Sequence, residues 1–134
     1  MAADEFATIA ELFAPLSDGE HGLGLLDDAA RLRPDPGFDF ITTVDQIVAG
    51  RHFTGDESAG EIARKALRVN LSDLAAMGAS PRYYLLSLAL PDGTEGAWLR
   101  GFAEALAGEQ RTFGVVLVGG DTVATGGPLV VGMT

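Results

Sequence analysis

The sequence predicts an α/β layer in which helices cover one face of a mixed sheet. Its 134 residues fit a single domain. Apolar patterns with helical and strand periods follow one another in the order helix, strands, helix, strand, helix, strand, strand. No internal repeat or low-complexity linker interrupts this order. We therefore expect one domain over residues 1–134.

A short amphipathic helix opens the chain. Phe6, Ile9, Ala10 and Phe13 follow the i, i+3, i+4, i+7 spacing of a helix face. Asp4 is the expected N-cap. Beyond this helix the pattern predicts, in order, a loop over 15–24, a short strand before Asp27, a turn over 33–37, and a strand over 38–44 that ends at Asp45.

The longest helix is predicted over 61–77. Ser58 and Glu61 have capping-box spacing, Gly78 suits a left-handed C-terminal residue, and Pro81 blocks continuation. The remaining pattern predicts a strand over 83–90, a turn over 91–93, a helix with Trp98, Phe102, Ala105 and Leu106 on one face, a strand over 115–118 stopped by Gly119 and Gly120, and a strand from 129 through 131 toward 133.

Composition excludes several classes of function. The formal net charge is −10 and the only lysine is Lys65, so no basic patch is available to bind nucleic acid. The absence of cysteine excludes disulfides and thiolate metal sites. The charged N-terminus is unlike a signal peptide, and no apolar run is long enough to span a membrane. We expect a soluble, cytoplasmic protein that relies on a divalent metal to neutralise any phosphorylated ligand.

One acid falls on the helix face that is expected to be buried. Asp73 lies on the same stripe as Ile62, Ala66 and Val69, whereas Arg64 and Arg68 occupy the opposite side. Burying a carboxylate costs free energy unless it is paired, hydrogen-bonded or bound to metal. An Asp that caps a neighbouring loop explains the position equally well.

Further acids follow predicted strands and turns. They are Asp27, Asp28, Asp45 and Asp121, and each alone is typical of a solvated loop or a turn. Two carboxylates ~4 Å apart repel by about 4 kcal/mol at an effective dielectric near 20. Since the arginines of the long helix face away, hard divalent cations are the remaining way to hold several acids together. No GxxxxGK[ST] loop or kinase-type glycine loop is present.

Residues 70–79, NLSDLAAMGA, resemble the signature helix of thiamine-monophosphate kinases. That family belongs to a superfamily with aminoimidazole ribonucleotide synthetase and selenophosphate synthetase. The sequence also resembles four further elements of this family, in the family's order. They are residues 27–30 (DDAA), 43–45 (TVD), 48–53 (VAGRHF) and 119–122 (GGDT).

The resemblance implies the N-terminal domain of the synthetase-like fold and the ATP-dependent phosphorylation of thiamine monophosphate to thiamine diphosphate. It implies that Mg²⁺ is held by Asp28, Asp45, Asp73 and Asp121, with Thr43 and the main-chain carbonyl of Val44 beside them. It implies that Gly120 and Asp121 contact ATP, that Phe102 lies near the nucleotide, and that His52 approaches the thiamine monophosphate. For Phe102, a place in the helix core is the stronger interpretation. A homodimer formed through this domain is also implied.

The sequence departs from the family at Leu26, where the family usually has Gly. Leu does not readily adopt positive φ, so we expect Asp28 rather than Asp27 to be the metal ligand. Family members are also longer, so we expect their C-terminal domain to be absent here and the chain alone to fold but to make no thiamine diphosphate. Two alternatives stay open: another enzyme of the superfamily, such as selenophosphate synthetase, which the absence of Cys disfavours, and a non-catalytic dimerisation or nucleotide-binding module.

Overall fold

The computed structural model describes residues 5–134, and it contains the expected mixed sheet with helices on one face. Helix α1 (Glu5–Thr8) continues into a π-helical turn (Ile9–Phe13) and a 3₁₀ turn (Ala14–Leu16), and a second 3₁₀ turn spans Leu23–Leu25. The layer itself consists of β1 (Asp45–Val48), α2 (Ala59–Ala76), β2 (Tyr83–Pro91), α3 (Gly96–Phe113), β3 (Val116–Thr125) and β4 (Val130–Met133).

The four strands lie in the order β1-β4-β2-β3. Strand β4 is antiparallel to both β1 and β2, and β3 is parallel to β2. The parallel pair needs a crossover, which α3 supplies. The sheet is therefore mixed, as the order of elements predicted.

The alternation of burial along strand β2 shows which face of the sheet is covered. Tyr84, Leu86, Leu88 and Leu90 are buried, whereas the side chains between them are exposed or half-buried. This alternation follows from the two-residue period of a strand. The buried side chains share one core with the apolar faces of α2 and α3. The opposite face, which we call the open face, carries the exposed side chains of Leu85 and Val123.

Helix α2 is fixed at its start by the predicted capping box. The Ser58 hydroxyl accepts a hydrogen bond from the Glu61 backbone N–H at 3.3 Å, and the Glu61 carboxylate accepts one from the Ser58 N–H at 2.8 Å. The helix begins at Ala59, two residues before the predicted start, and Gly78 follows its end with φ 67°. No helix among the described residues is long and apolar enough to cross a membrane.

The N-terminal turns pack against α3. Phe13 and Leu16 are buried, and the Gln110 side chain donates a hydrogen bond to the Leu16 carbonyl at 2.8 Å. Gln110 also accepts a hydrogen bond from the Tyr84 hydroxyl at 3.2 Å, which joins the turns to β2. The opening helix was correctly predicted, although Phe6 is exposed and the predicted cap, Asp4, lies outside the described residues.

The predicted strand over 38–44 is wrong. These residues have no regular structure, and β1 begins at Asp45, where the predicted strand was to end. The apolar side chains Phe38, Phe40, Ile41 and Val44 stay exposed. A strand needs a neighbour for its backbone groups, and β4 pairs with the chain only from Asp45 onward.

Two further boundaries differ from the prediction. The segment before Asp27 forms a 3₁₀ turn rather than a strand. Strand β3 runs through Gly119 and Gly120 to Thr125 instead of stopping at the glycines. A Cβ at Gly120 would lie 1.9 Å from the Leu86 carbonyl oxygen, so this glycine allows β3 to approach β2 closely.

Candidate functional site

Two of the predicted metal ligands meet at the C-terminal end of α2. The Thr43 hydroxyl donates a hydrogen bond to Asp73 Oδ2 at 3.1 Å, although the two residues are far apart in sequence. Thr43 is half-buried and Asp73 is exposed. The contact joins the irregular segment before β1 to the helix that carries the NLSD sequence, and it creates an exposed group of oxygen atoms.

The sequence predicted that Asp73 lies on the buried face of its helix. This prediction is wrong, because the side chain does not face the core. The buried residues of α2 are Ile62, Ala63, Ala66, Leu67 and Asn70, and no residue after Asn70 is fully buried. Asp73 has the angular position of the buried stripe, but the helix extends beyond the part of the core that covers this stripe. Helical periodicity gives the direction of a side chain and not the extent of its neighbour.

Asp45 lies on the helix-covered side of the sheet. It alternates with Gln46 and shares its face with the buried Ile47, and it pairs with Met133, which is also buried. Asp45 itself is half-buried. Its neighbour Val44 is exposed. The main-chain carbonyl of Val44 belongs to the irregular segment before β1.

Asp121 lies on the opposite side of the sheet from Asp45. The strand register aligns Gln46, Gly132, Ser87 and Asp121 in one row across all four strands. A Cβ at Gly132 would lie 3.4 Å from Gln46 Cγ and 3.6 Å from Ser87 Cβ, which places this row on the open face. Within one copy of the chain, Asp121 and Asp45 therefore project from different faces.

Asp28 lies in an exposed loop, where its backbone N–H donates a hydrogen bond to Asp27 Oδ1 at 3.0 Å. Leu26 keeps a negative φ of −103°, as expected for Leu. The left-handed backbone is instead found at Leu23, Gly24 and Leu25, with φ of 52°, 66° and 56°. Positive φ is unfavourable for Leu, so this turn is locally strained.

His52 occupies a tight turn after β1. Its Nδ1 atom accepts a hydrogen bond from the Val48 backbone N–H at 3.0 Å. The Lys65 ammonium group donates to the His52 carbonyl. With Nδ1 used as an acceptor, a neutral His52 carries its proton on Nε2 and presents an N–H donor to the solvent. Val48 and Asp45 are at opposite ends of β1, so His52 is about 10 Å along the strand from Asp45.

Phe102 is part of the core. Its side chain is 0% exposed and its ring stacks on Trp98, with centroids 5.2 Å apart and an interplanar angle of 22°. A ring without exposed surface has no face to offer a nucleotide. The nucleotide contact implied by the resemblance is therefore not available, and the core interpretation is correct.

Among residues 5–134, no three side chains of His, Cys, Asp and Glu are grouped to hold a metal ion. Mg²⁺ is usually bound by one or two carboxylates together with substrate phosphates, rather than by a cage made only of protein groups. The oxygen donors of Asp73 and Thr43, with the half-buried Asp45 on the helix side, fit a site of that kind.

A cavity of about 1070 Å³ adjoins the Thr43–Asp73 contact. Residues 31–43 form one side, and the last turns of α2 and the residues leading into β2 form the other. An ion pair from Arg82 to Asp35 at 3.0 Å spans the two sides. Cavities of this size accommodate cofactors and small substrates.

A hydrogen-bonded chain of three side chains borders this cavity, and sequence reasoning missed it. His21 Nδ1 lies 2.7 Å from Asp18 Oδ2, and His21 Nε2 lies 3.0 Å from the Tyr83 hydroxyl. Partial burial opposes ionisation of Asp18, but hydrogen bonds from His21 and Gly22 outweigh it and lower the pKa of this carboxyl. Asp18 and His21 are three residues apart, but Tyr83 is distant in the sequence, so no local pattern connects all three.

Asn70 was also missed as a site residue. It lines the cavity and is buried, and its Oδ1 atom has no hydrogen-bond partner in the described chain. The available signal was an amide side chain on the buried side of α2, inside the same ten-residue sequence that contains Asp73.

Residues 26–134 match the family described as AIR synthase related protein, N-terminal domain. The chain belongs to this family. It is 49% identical over 131 residues to a thiamine-monophosphate kinase of Caulobacter vibrioides, covering 97% of this chain and 37% of that protein. It therefore spans a little over a third of the length of that relative.

Solved structures agree with the family assignment. The crystal structure of thiamine-monophosphate kinase from Stenotrophomonas maltophilia K279a has a TM-score of 0.80 and 36% identity, covering 99% of this chain and 42% of that chain. A structure described as AaThiL complexed with AMPPCP and TMP has a TM-score of 0.65 and 24% identity, covering 96% of this chain and 40% of that chain. The second similarity is one of fold.

Proposed function

We propose that this chain is the metal- and nucleotide-binding part of an enzyme that phosphorylates thiamine monophosphate with ATP. The observation that carries the proposal is the 49% identity to a thiamine-monophosphate kinase over nearly the whole chain. The contact between Thr43 and Asp73 supports it, because it joins two separate family-like segments at an exposed set of oxygen donors.

In this proposal Asp73, Thr43 and Asp45 contribute oxygen atoms to Mg²⁺, with Asp28 and the Val44 carbonyl as further donors from the adjoining loop. Magnesium would neutralise phosphate charge. The chain's own contribution is to hold these donors on α2 and β1, which are rigid elements. No side chain is needed as a general base, since a phosphate monoester oxygen is already anionic near neutral pH.

His52 would contact the thiamine monophosphate through its outward Nε2–H. The hydrogen bond from Val48 N–H to Nδ1 supports this role, since it selects the tautomer with a donor on the exposed nitrogen. About 10 Å of strand separates this group from Asp45, a span suited to an extended substrate whose phosphate lies at the metal.

In this proposal Asp121 contacts nucleotide from the open face, whereas Gly120, which pairs with the buried Leu86, offers only backbone groups. We also propose that a second copy of the chain covers part of the open face. Leu85 and Val123 are large exposed apolar side chains on it, at 42% and 49% exposure. Uncovered apolar surface on a sheet favours association. Sedimentation of the chain at micromolar concentration tests this proposal, with a dimer expected and a monomer contradicting it.

Phosphoryl transfer is best tested in a chimera. The matching segment of the Caulobacter vibrioides kinase is replaced by this chain, which is 49% identical to it. We expect the chimera to form thiamine diphosphate from ATP and thiamine monophosphate. A folded but inactive chimera would contradict the proposal.

The same chimera can be used to compare how much individual acids contribute to the reaction rate. Asp73→Asn should reduce the rate more than Asp27→Asn, because Asp73 is held on a rigid helix and bonded to Thr43, whereas Asp27 lies in an exposed loop. The reverse order in steady-state kinetics would reject this assignment. The chain alone is expected to form no thiamine diphosphate, since donor and acceptor must be held together accurately and the kinase relatives are much longer.

A further inference from the structure

The cavity beside the Thr43–Asp73 contact has walls suited to a flat ring. Three leucines of α2, Leu67, Leu71 and Leu74, line one side. The aromatic rings of Phe40 and Tyr83 also line the cavity, with their centroids 6.2 Å apart in an edge-to-face arrangement. Apolar and aromatic walls of this kind bury and stack heteroaromatic ligands.

Asn70 adds one unpaired polar atom to these walls. The residue is 5% exposed, and its Nδ2 group donates to the Ala66 carbonyl at 2.9 Å. This bond identifies Oδ1 as the other end of the amide, and Oδ1 is buried without a partner in the described chain. A buried acceptor without a donor reduces the stability of the fold, so the presence of this unpaired oxygen needs an explanation.

We propose that this cavity binds a heteroaromatic ring that carries an amino group, and that Asn70 Oδ1 accepts a hydrogen bond from that group. The inference rests on the proposed function, because both of its substrates carry such a ring: adenine in ATP and aminopyrimidine in thiamine monophosphate. Asn70 precedes Asp73 by three residues, or about 4.5 Å of helix rise. The ring would therefore lie beside the phosphate-binding end of α2.

Matched ligands without phosphate test the inference on the wild-type chain. Calorimetric titrations compare adenosine with purine riboside, which lacks the amino group, and thiamine with oxythiamine, in which oxygen replaces it. In one of the pairs, we expect the amine-bearing ligand to bind about five- to tenfold more tightly. The pair that discriminates identifies which substrate supplies the ring. No preference in either pair, or no binding at millimolar concentration, would overturn the inference.

The variant Asn70→Leu separates a ligand contact from a structural role. We expect the amine preference to disappear, with the affinity for the amine-bearing ligand falling to that of its analogue. The melting temperature should stay the same or rise, because an unpaired buried oxygen is removed. The control is Arg64→Leu, at an exposed position of α2 outside the cavity. An amine preference that persists in Asn70→Leu would contradict the assignment.

These measurements are independent of the kinase proposal. The four ligands contain no phosphate, so their binding requires neither metal nor phosphoryl transfer. An active chimera with no amine preference would refute only the ring assignment. An inactive chimera together with a clear amine preference would refute only the kinase assignment.

Discussion

The helix–sheet layer over residues 45–133 and the segment over residues 26–44 differ in what determines their structure. In the layer, each apolar pattern packs against another element of the same chain, as the alternate burial of β2 illustrates. In the segment, apolar side chains such as Phe38, at 73% exposure, pack against little. A local apolar pattern therefore predicts the structure correctly where the element that it packs against belongs to the described chain. The two regions meet where Thr43 bonds Asp73, which is the candidate site.

The largest effect is expected within the layer, at Gly120. Gly120→Ala should lower the free energy of unfolding by about 3 kcal/mol, because the new Cβ would overlap the Leu86 carbonyl and force β3 away from β2. Denaturant titration monitored by circular dichroism measures this change. The control is Gly119→Ala, whose Cβ would meet only the flexible end of the Leu85 side chain at 3.2 Å. Equal stability of the two variants would show that β3 does not pack as described.

A smaller effect is expected at the interface of α2 and α3. Arg68 makes two hydrogen bonds to the buried Glu109 at 2.7 and 2.9 Å, while Arg68 itself stays half-exposed. Glu109→Gln should lower the free energy of unfolding by about 1–2 kcal/mol. The solvent around Arg68 limits this effect. The double variant with Arg68→Met completes a thermodynamic cycle. Additive losses would contradict a direct interaction between the two residues.

Most of the layer was predictable from the sequence, and most of the site geometry was not. Ser58 and Glu61 specified the start of α2, and the alternation in β2 specified its faces, because both signals are local. The face of Asp121 depends on the register of four strands, and the exposure of Asp73 depends on where the core ends. Neither is encoded within a single element. The family-like segments did identify Thr43 and Asp73, which the fold brings into contact.

The loop that leads into α2 gives a pH-dependent contribution to stability. Hydrogen bonds from the backbone N–H groups of Thr54 and Gly55 lower the pKa of Glu57 to about 2. A carboxyl whose pKa is lowered by folding stabilises the protein above its unfolded pKa, and this stabilisation is lost as pH falls from about 4.5 through about 2. Glu57→Gln should therefore reduce the decline of the denaturation midpoint over that range.

Asp56→Asn is the matched control for this titration. It removes one acid from the same loop and leaves the hydrogen bonds from Thr54 and Gly55 to Glu57 in place. If Glu57→Gln and the wild-type chain lose stability in parallel between pH 4.5 and 2, the hydrogen bonds to Glu57 do not stabilise this loop.

The most direct test of the proposed site is a thermal melt with Mg²⁺ and a non-hydrolysable ATP analogue. A ligand at about 100 times its dissociation constant adds about 2.7 kcal/mol of stability. We expect a magnesium-dependent rise in melting temperature for the wild-type chain, no such rise for Asp73→Asn, and an unchanged rise for Asp92→Asn, which removes an exposed acid in the turn after β2. No magnesium-dependent shift at high millimolar concentration, or an equal shift in Asp73→Asn, would contradict a metal and nucleotide site at the end of α2.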